Sequence, residues 1–308
     1  MKIYCVGDIH LREDTPICRT DTFFETQLEK LVEINRIANE NYVLCPGDVF
    51  HKWKTSPRLL NAAINFLPYH FITTYGNHDL PGHNIERKNE SGLGVLASAY
   101  PNDGNSPINV LCENNSLHIL PHIRIDSYPF GCDLKNSREF YFIKEDTSIK
   151  IRIALVHKFI YIKKEDHHVQ DGVTDTELFG TLKGYDLIVI GDNHTPGTFT
   201  YGKSTIINSG SLTRQRASET HEPRIYEWDT ETRKTRKIIL DHNPNAVARD
   251  HLELKEKIDS RINAFVSKLS MQIDSGLSFE DNLKEFFKKN KTPKELQTLV
   301  LNILENES

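Results

Sequence analysis

The chain has 308 residues, a formal net charge of −5 and 38% hydrophobic residues, values typical of a folded globular protein. No apolar run approaches the roughly 18 residues that a membrane span needs, and the first residues lack the pattern of a signal peptide. The five cysteines are scattered without CxxC spacing, which argues against a disulfide framework or a zinc-thiolate site and predicts a cytoplasmic protein.

Short apolar runs alternate with polar turns from residue 1 to about residue 208. The runs predict strands at residues 2–6, 42–45, 71–75, 151–156, 187–190 and 205–207. Apolar residues at helical spacing predict a helix between the first two strands and a second helix over Pro57–Phe66. Strands that alternate with helices predict an α/β layered fold whose internal strands are covered on both faces.

The pattern changes near Ser209. Residues 224–239 predict a β-hairpin, which is either a small cap or an addition at the edge of a sheet. After Pro244 the pattern is helical, with apolar stripes at residues 258–269, 279–287 and 296–304 that either dock on a partner or pack on the main domain. We therefore predict a main domain at residues 1–208, a small capping or hairpin segment at 209–248, and a helical region at 249–308.

Five polar turns follow the predicted strands and carry the residue types that bind metals. They are Gly7-Asp8-Ile9-His10, Gly47-Asp48-Val49-Phe50-His51, Gly76-Asn77-His78-Asp79, Val156-His157 and Gly191-Asp192-Asn193-His194. Ligands of open α/β sheets bind at the carboxyl ends of the strands, and the glycines allow sharp turns there. One isolated histidine is more often a hydrogen-bonded core residue than a ligand, but five such turns in order predict a metal site. Carboxylate, amide and imidazole groups without thiolate suit Mn²⁺, Fe²⁺ or Zn²⁺ better than Mg²⁺.

These turns resemble the five-motif signature of the calcineurin-like metallophosphoesterases, written D-x-H, G-D, G-N-H-[DE], H and G-H-x-H, over roughly residues 1–215. Within that superfamily the chain resembles the SbcD-type DNA repair nucleases. Two segments carry the closer resemblance: residues 47–58 around the second motif, and residues 208–216, which resemble the family's Gly-Ser segment. The resemblance implies a four-layer α/β/β/α metallophosphoesterase sandwich with a small capping segment and a C-terminal helical extension.

The resemblance also implies the roles of individual residues. The first ion is held by Asp8, His10, Asp48 and His194, and the second ion by Asp48, Asn77, His157 and Asp192. His78 stabilises the transition state and protonates the leaving oxygen, while Asp79 orients the His78 ring. His51 helps to position the nucleic acid, although it could equally lie behind the ligands or on the surface. The basic residues expected to flank a phosphate-rich groove are Lys54, Arg58, Arg214 and Arg216, with scattered surface charges as the alternative.

One position departs from the family pattern. The fifth motif has Asp192 where the family has histidine. A carboxylate can replace imidazole as a ligand, but it adds negative charge, which favours Mn²⁺ or Mg²⁺ over Zn²⁺ and weakens the Lewis acidity of the second ion. A pseudo-enzyme is the alternative interpretation.

The function implied by the resemblance is hydrolysis of DNA phosphodiester bonds by an exo- or endonuclease subunit. It requires two divalent ions, with Mn²⁺ favoured over Mg²⁺, Fe²⁺ and Zn²⁺. Its partners are DNA ends or single strands, an SbcC-type SMC-like ATPase and a second copy of the chain, without a membrane. Two alternatives stay open: a small-molecule or nucleotide phosphodiesterase or phosphatase on the same scaffold, and a non-catalytic metal-binding scaffold.

Overall fold

The computed structural model describes residues 1–142, 147–163, 166, 169, 171–249, 279–298 and 300. The chain divides into two compact units, Met1–Ala248 and Arg249–Ser308. Within the described residues, none of the helices is both long enough and apolar enough to cross a membrane. The apolar stripe expected at residues 258–269 lies outside the described residues, as do residues 299 and 301–304 of the last stripe.

The first unit contains two six-stranded sheets. The strands are β1 (Lys2–Cys5), β2 (Tyr42–Cys45), β3 (Phe71–Thr73), β4 (Ile108–Val110), β5 (Ser116–Leu120), β6 (Ile123–Tyr128), β7 (Ile151–His157), β8 (Leu187–Gly191), β9 (Gly197–Tyr201), β10 (Ser204–Asn208), β11 (Arg224–Asp229) and β12 (Thr235–Ile239). The first sheet has the order β12-β11-β1-β2-β3-β4 and the second β5-β6-β7-β8-β10-β9. Strands β1 to β4 are parallel to one another, as are β6, β7, β8 and β10, and antiparallel strands lie toward the edges.

Helices lie between successive strands of the first unit, and a further helix belongs to the second unit. They are α1 (Phe23–Ala38), α2 (Pro57–Phe66), α3 (Gly92–Ala99), α4 (Leu134–Phe142), α5 (Asp175–Thr181) and, in the second unit, α6 (Phe279–Lys289), with 3₁₀ helices at Pro81–His83 and Ile85–Glu90. Helix α2 begins where the sequence predicts, because the Ser56 side chain accepts a hydrogen bond from the Leu59 amide and Pro57 fits the first turn. In α5, Thr174 and Glu177 form a capping box.

Apolar side chains fill three layers of the first unit. Residues of α1, α2 and α3 pack on one face of the first sheet, and residues of α4 and α5 pack on the outer face of the second. The layer between the two sheets is built from both of them and includes Ile3, Leu44, Ile72, Ile153, Leu155 and Val189. The predicted α/β/β/α sandwich is therefore confirmed.

The hairpin expected at residues 224–239 belongs to the first sheet. Strand β11 pairs antiparallel with β1, with Ile3 opposite Trp228, and β12 forms the sheet edge beyond β11. The Trp228 side chain is fully buried in the layer between the sheets. Of the two interpretations, cap or edge addition, the structure shows an edge addition that contributes to the main core.

The second unit contains an amphipathic helix. On α6, Leu283, Phe286 and Phe287 are buried and pack with Val300. These apolar residues therefore contact one another within this unit.

Candidate metal centre

The polar turns converge because they follow neighbouring parallel strands. Asp8 follows β1, Asp48 follows β2 and Asn77 follows β3 in the first sheet, while His157 ends β7 and Asp192 follows β8 in the second. Carboxyl ends of parallel strands meet at the same end of a sheet, which is where α/β folds place their ligands. The site is therefore assembled from both sheets.

Asp48 lies at the centre of the cluster. Its Oδ2 is 3.5 Å from His10 Nε2 on one side and 3.6 Å from His157 Nε2 on the other. A carboxylate between two groups of donors is the arrangement that a shared ligand of two ions requires. Asp48 thus lies between two histidines of the cluster, and its role as a ligand shared by two ions stays a prediction.

Further groups that could bind a metal lie on each side of Asp48. On the first side, His10 Nε2 and His194 Nε2 are 3.0 Å apart, and His194 Nε2 is 4.0 Å from Asp8 Oδ2. On the second side, His157 Nε2 is 3.0 Å from Asn77 Oδ1. Asp192 is partly buried next to Asp8, whose Oδ2 accepts a hydrogen bond from the Asp192 amide at 3.0 Å.

Three of these residues have strained backbones. His10, Asp48 and Asp192 have φ values of +48°, +51° and +82°, in the left-handed region that non-glycine residues rarely adopt. Such conformations are retained where a site requires them. Neighbouring glycines make the close approach feasible, since a Cβ at Gly76 would overlap the Asp48 carboxylate and a Cβ at Gly191 would overlap that of Asp8.

The lone pairs of the cluster are placed to bind cations. His157 Nδ1 donates to the Pro46 carbonyl and His194 Nδ1 donates to Glu219, so each ring, once neutral, directs the lone pair of its Nε2 atom into the cluster. Asp8 Oδ1 is buried and finds no hydrogen-bond partner among the described residues. Acceptors that face one another without a donor are costly unless a cation binds between them.

Charge in the cluster favours a cation as well. Burial raises the pKa of the Asp8 and Asp48 carboxyls, whereas burial and the neighbouring histidines lower the pKa of His10. Burial also opposes charge on His157, but the nearby carboxylates, with Asp48 foremost, outweigh it and raise the pKa of His157 to about 9. The carboxylates therefore favour a positive charge beside them, which a proton on His157 supplies in the metal-free protein and which divalent ions would supply when bound.

A model of the calcineurin-like phosphoesterase family matches residues 1–196. The chain belongs to this family. Its members are metal-dependent hydrolases with a site for two divalent ions, and the Asp/His cluster of this phosphoesterase fits such a site.

Solved structures resemble the phosphoesterase more distantly. An archaeal phosphodiesterase is 18% identical, with 78% of this chain and 100% of that chain covered and a TM-score of 0.41. A putative 5′-nucleotidase from Staphylococcus aureus is 13% identical, with 84% and 58% covered and a TM-score of 0.47. A phosphopantetheinyl hydrolase from Mycobacterium tuberculosis is 11% identical, with 78% and 96% covered and a TM-score of 0.46. No curated protein matches the chain significantly.

Metal binding is expected to strengthen as pH rises from about 6.5 to about 9. His157 must be neutral to bind an ion, but its carboxylate neighbours raise its pKa to about 9 in the metal-free protein. The ion therefore displaces a proton in this range, and affinity climbs by up to about tenfold per pH unit for each proton released. Calorimetric Mn²⁺ titrations in buffers of different ionisation enthalpy measure the proton release. An affinity independent of pH would contradict a protonated His157.

His78 lies beside the cluster and is held by two hydrogen bonds, one from its amide and one from its ring. Its amide donates to Asp48 Oδ1 at 2.9 Å, and its Nδ1 donates to the His51 carbonyl at 2.8 Å. The His51 and His78 rings are stacked with centroids 5.3 Å apart. The His51 backbone therefore orients the His78 ring through Nδ1.

Asp79 has a different partner from the one expected. Its fully buried carboxylate accepts from the amides of Phe50 at 3.0 Å, Gly76 at 3.1 Å and Val49 at 3.3 Å. Burial raises its pKa to about 6 despite these bonds. The expectation that Asp79 orients the His78 ring is corrected: Asp79 connects the second and third ligand turns.

Replacing Asp79 with alanine is expected to lower the free energy of unfolding by about 3 kcal/mol, because three buried amides lose an acceptor. Chemical denaturation of the metal-free protein measures the change. Asp229→Ala is the matched control, since Asp229 accepts from the amides of Glu231 and Thr232 in an exposed turn. Equal losses in the two variants would contradict a special role for the buried contacts.

Glu219 is a site residue that the sequence did not reveal. Its Oε1 accepts from His194 Nδ1 at 2.6 Å, and its Oε2 accepts from the Gln215 amide at 2.6 Å. A carboxylate behind a histidine ligand sets the orientation and basicity of the ring. Glu219 follows the Gly-Ser segment without any spacing that relates it to His194, so only the fold brings the two together.

Replacing Glu219 with glutamine is expected to weaken metal affinity by about 10- to 100-fold, because the His194 ring loses its anionic partner. Metal titration at constant pH measures the change. Glu222→Gln is the control, since Glu222 is largely exposed and lies 3.9 Å from Arg224. An unchanged affinity in Glu219→Gln would remove Glu219 from the centre.

Of the four basic residues predicted to flank a groove, three are exposed and one is nearly buried. Lys54 is exposed and lies near His51, and Arg216 is exposed as well. Arg58 lies over the Phe24 ring, 3.8 Å from Glu13. Arg214 is corrected, since it is nearly buried and its guanidinium donates to the carbonyls of Asn243 at 2.8 Å and Pro244 at 3.1 Å. The Arg214 guanidinium thus holds a loop of the fold.

Proposed function

We propose that this phosphoesterase is a two-metal phosphodiesterase that hydrolyses DNA, as a nuclease of the SbcD type. The observation that carries the proposal is the central position of Asp48 between His10 and His157, with His78 beside it. The resemblance of residues 47–58 and 208–216 to SbcD-type nucleases supports DNA as the substrate. The exposed Lys54 near His51 supplies positive charge for a phosphate chain.

The residues of the chain divide the work of hydrolysis. Two bound ions would supply positive charge for the phosphate and lower the pKa of the attacking water. Their ligands would be Asp8, His10, Asp48 and His194 for one ion and Asp48, Asn77, His157 and Asp192 for the other. The carboxylate at Asp192 favours Mn²⁺. His78, oriented by the His51 carbonyl, donates a proton from Nε2 to the leaving oxygen.

A small nucleotide or other small phosphodiester is the second candidate substrate. A cavity of about 380 Å³ adjoins His78, and this volume is in the range of pockets for small ligands. The net charge of −5 also provides no general attraction for a long polyanion.

One assay separates the candidates. The protein is incubated with Mn²⁺ and linear duplex DNA, single-stranded DNA, cyclic nucleotides or a chromogenic diester. Release of nucleotides from DNA supports the nuclease, whereas turnover of small diesters alone would refute it. Metal bound without any turnover would favour a non-catalytic scaffold. Asp192→Ala belongs in the same assay, because an unchanged rate would remove Asp192 from the centre.

We also propose an SbcC-type SMC-like ATPase as partner, docked on the C-terminal helical region, and a homodimer through the nuclease domain. The amphipathic sequence pattern of residues 251–308 supports the first proposal. Size-exclusion chromatography with light scattering tests the dimer, and co-purification of the full chain with the ATPase tests the complex. A monomer that does not bind the ATPase would overturn both.

A further inference from the structure

A cavity of about 380 Å³ opens beside His78 and shares two residues with the metal centre, Asn77 and His78. We call it the Trp53 pocket. Its other walls include His51, Lys52, Trp53, Lys54 and His83. The hydrolytic mechanism above uses His78 and the His51 backbone but leaves Trp53, Lys52 and His83 unexplained.

Both walls of the Trp53 pocket are tied to the fold. On one side, the Trp53 carbonyl accepts from the Gly92 amide at 2.8 Å and from Thr55 Oγ1 at 3.3 Å, which holds the 51–55 loop at the start of α3. A Cβ at Gly92 would overlap Thr55, so the loop and the helix fit closely. The loop that carries Trp53 is therefore a built wall of the pocket.

A second part of the lining comes from the 3₁₀ helix Pro81–His83. Gly82 and His83 have φ values of +60° and +56°, and His83 Nδ1 donates to the Asn77 carbonyl at 3.0 Å. This contact connects the wall directly to a ligand turn of the metal centre. A molecule in the Trp53 pocket would thus lie against two walls that are both anchored beside the reacting phosphate.

The chemistry of the walls matches a nucleotide. Trp53, His51 and His83 place aromatic rings in the lining, and Lys52 and Lys54 are exposed cations. Aromatic faces stack on nucleobases, and lysines attract phosphates, the combination by which proteins hold single strands without reading their sequence. Inorganic phosphate would use the cations but would gain nothing from the aromatic rings.

We propose that the Trp53 pocket binds the nucleobase of the group that leaves when the phosphodiester is cleaved. This inference rests on the proposed function, in which His78 protonates the leaving oxygen. Because His78 is itself a wall of the pocket, the group attached to that oxygen enters the pocket as the bond breaks. The nucleobase stacks against Trp53, and Lys52 and Lys54 lie near any phosphate that follows.

Tryptophan fluorescence tests the proposal directly. The chain has two tryptophans, and Trp228 is fully buried between the sheets, so Trp53 is the residue that a ligand in the pocket can quench. With Mn²⁺ present, deoxyadenosine monophosphate is expected to quench the fluorescence of the wild type, whereas inorganic phosphate is not. The quenching disappears in Trp53→Phe. Equal responses to the two ligands, or quenching that persists in Trp53→Phe, would overturn the proposal.

Affinity gives a second readout. In Trp53→Ala, the preference for deoxyadenosine monophosphate over inorganic phosphate is expected to fall by about 5- to 150-fold, the range for loss of one stacked base. Trp53→Phe keeps an aromatic face and retains most of the preference. Tyr69→Ala is the matched control, since it removes an exposed aromatic ring elsewhere. If Trp53→Ala does not fold, Trp53→Leu removes the aromatic face while keeping an apolar side chain. An unchanged preference in either variant would overturn the proposal.

The same variants show whether the base comes from DNA or from a small nucleotide. They also distinguish a failure of the pocket proposal from a failure of the proposed function. A loss of affinity for a single-stranded oligonucleotide supports a base from DNA, and a loss confined to the mononucleotide supports a base from a small nucleotide. If the wild type hydrolyses a diester but shows no preference for the nucleotide over phosphate, the pocket proposal fails while the proposed function stands. If the wild type binds the base through Trp53 but hydrolyses nothing, the proposed function fails instead.

Discussion

Asp48→Asn is expected to lower Mn²⁺-dependent diester hydrolysis by at least about 10³-fold, because metal ions supply several kcal/mol of transition-state stabilisation and each 1.36 kcal/mol is tenfold in rate. Asp48 is the carboxylate between His10 Nε2 at 3.5 Å and His157 Nε2 at 3.6 Å. Asparagine keeps an oxygen for the His78 amide but loses the negative charge that two ions would share. Initial rates with a chromogenic diester and elemental analysis of bound metal measure the effect.

A loss of metal can be distinguished from unfolding by thermal denaturation of the metal-free Asp48→Asn protein. Burial raises the pKa of Asp48, so its ionised form costs stability once pH exceeds the unfolded value, and a neutral asparagine removes that cost. The melting temperature should therefore hold or rise at neutral pH. Asp133→Asn, at an exposed turn that caps the amides of Lys135 and Asn136, is the control for the same chemical change. Wild-type activity in Asp48→Asn would refute the assignment of Asp48 as a ligand shared by two ions.

Trp228→Ala is expected to destabilise the protein by about 3–5 kcal/mol, the range for removing a large buried aromatic side chain. Trp228 is fully buried in the layer between the sheets although it belongs to the C-terminal hairpin of the first unit. Chemical denaturation followed by circular dichroism measures the change, because the substitution also removes a fluorophore.

Val32→Ala on the exposed face of α1 is the control and should change stability by less than about 0.5 kcal/mol, as is usual for surface substitutions. A loss below about 1 kcal/mol in Trp228→Ala would show that the hairpin is peripheral. The expected loss would show that a catalytic unit truncated at residue 208 would lack part of its hydrophobic core.

The sequence predicts the strands that carry ligands more accurately than the others. The run at residues 42–45 and the helix Pro57–Phe66 match the structure, and the remaining ligand-bearing runs differ from their strands by at most two residues at an end. Strands β4, β5, β6 and β9 were not predicted. β5 lies at a sheet edge with alternating buried and exposed residues, so its apolar signal is interrupted.

The ligand residues were also predictable, because each stands in a short turn at a strand end and local sequence sets that position. Contacts between distant turns were not. The partners of Asp79 are up to 30 residues away, Glu219 and His194 are 25 apart, and Arg214 donates to carbonyls 29 and 30 residues later. Hydrogen bonds over such separations depend on how the turns pack, and no periodicity records them.

By itself, the sequence determined the layered α/β fold and the polar turns at the strand ends, because both follow from strand periodicity and from local residue types. The assignment of those turns to two ions came from the family resemblance and stays a prediction. Tertiary structure alone decided that residues 224–239 complete the first sheet, that Asp79 connects two turns, and that Trp53 and His83 face a pocket beside His78. The physical reason is that burial and long-range hydrogen bonds belong to the packed chain, whereas propensity and turn chemistry belong to its local segments.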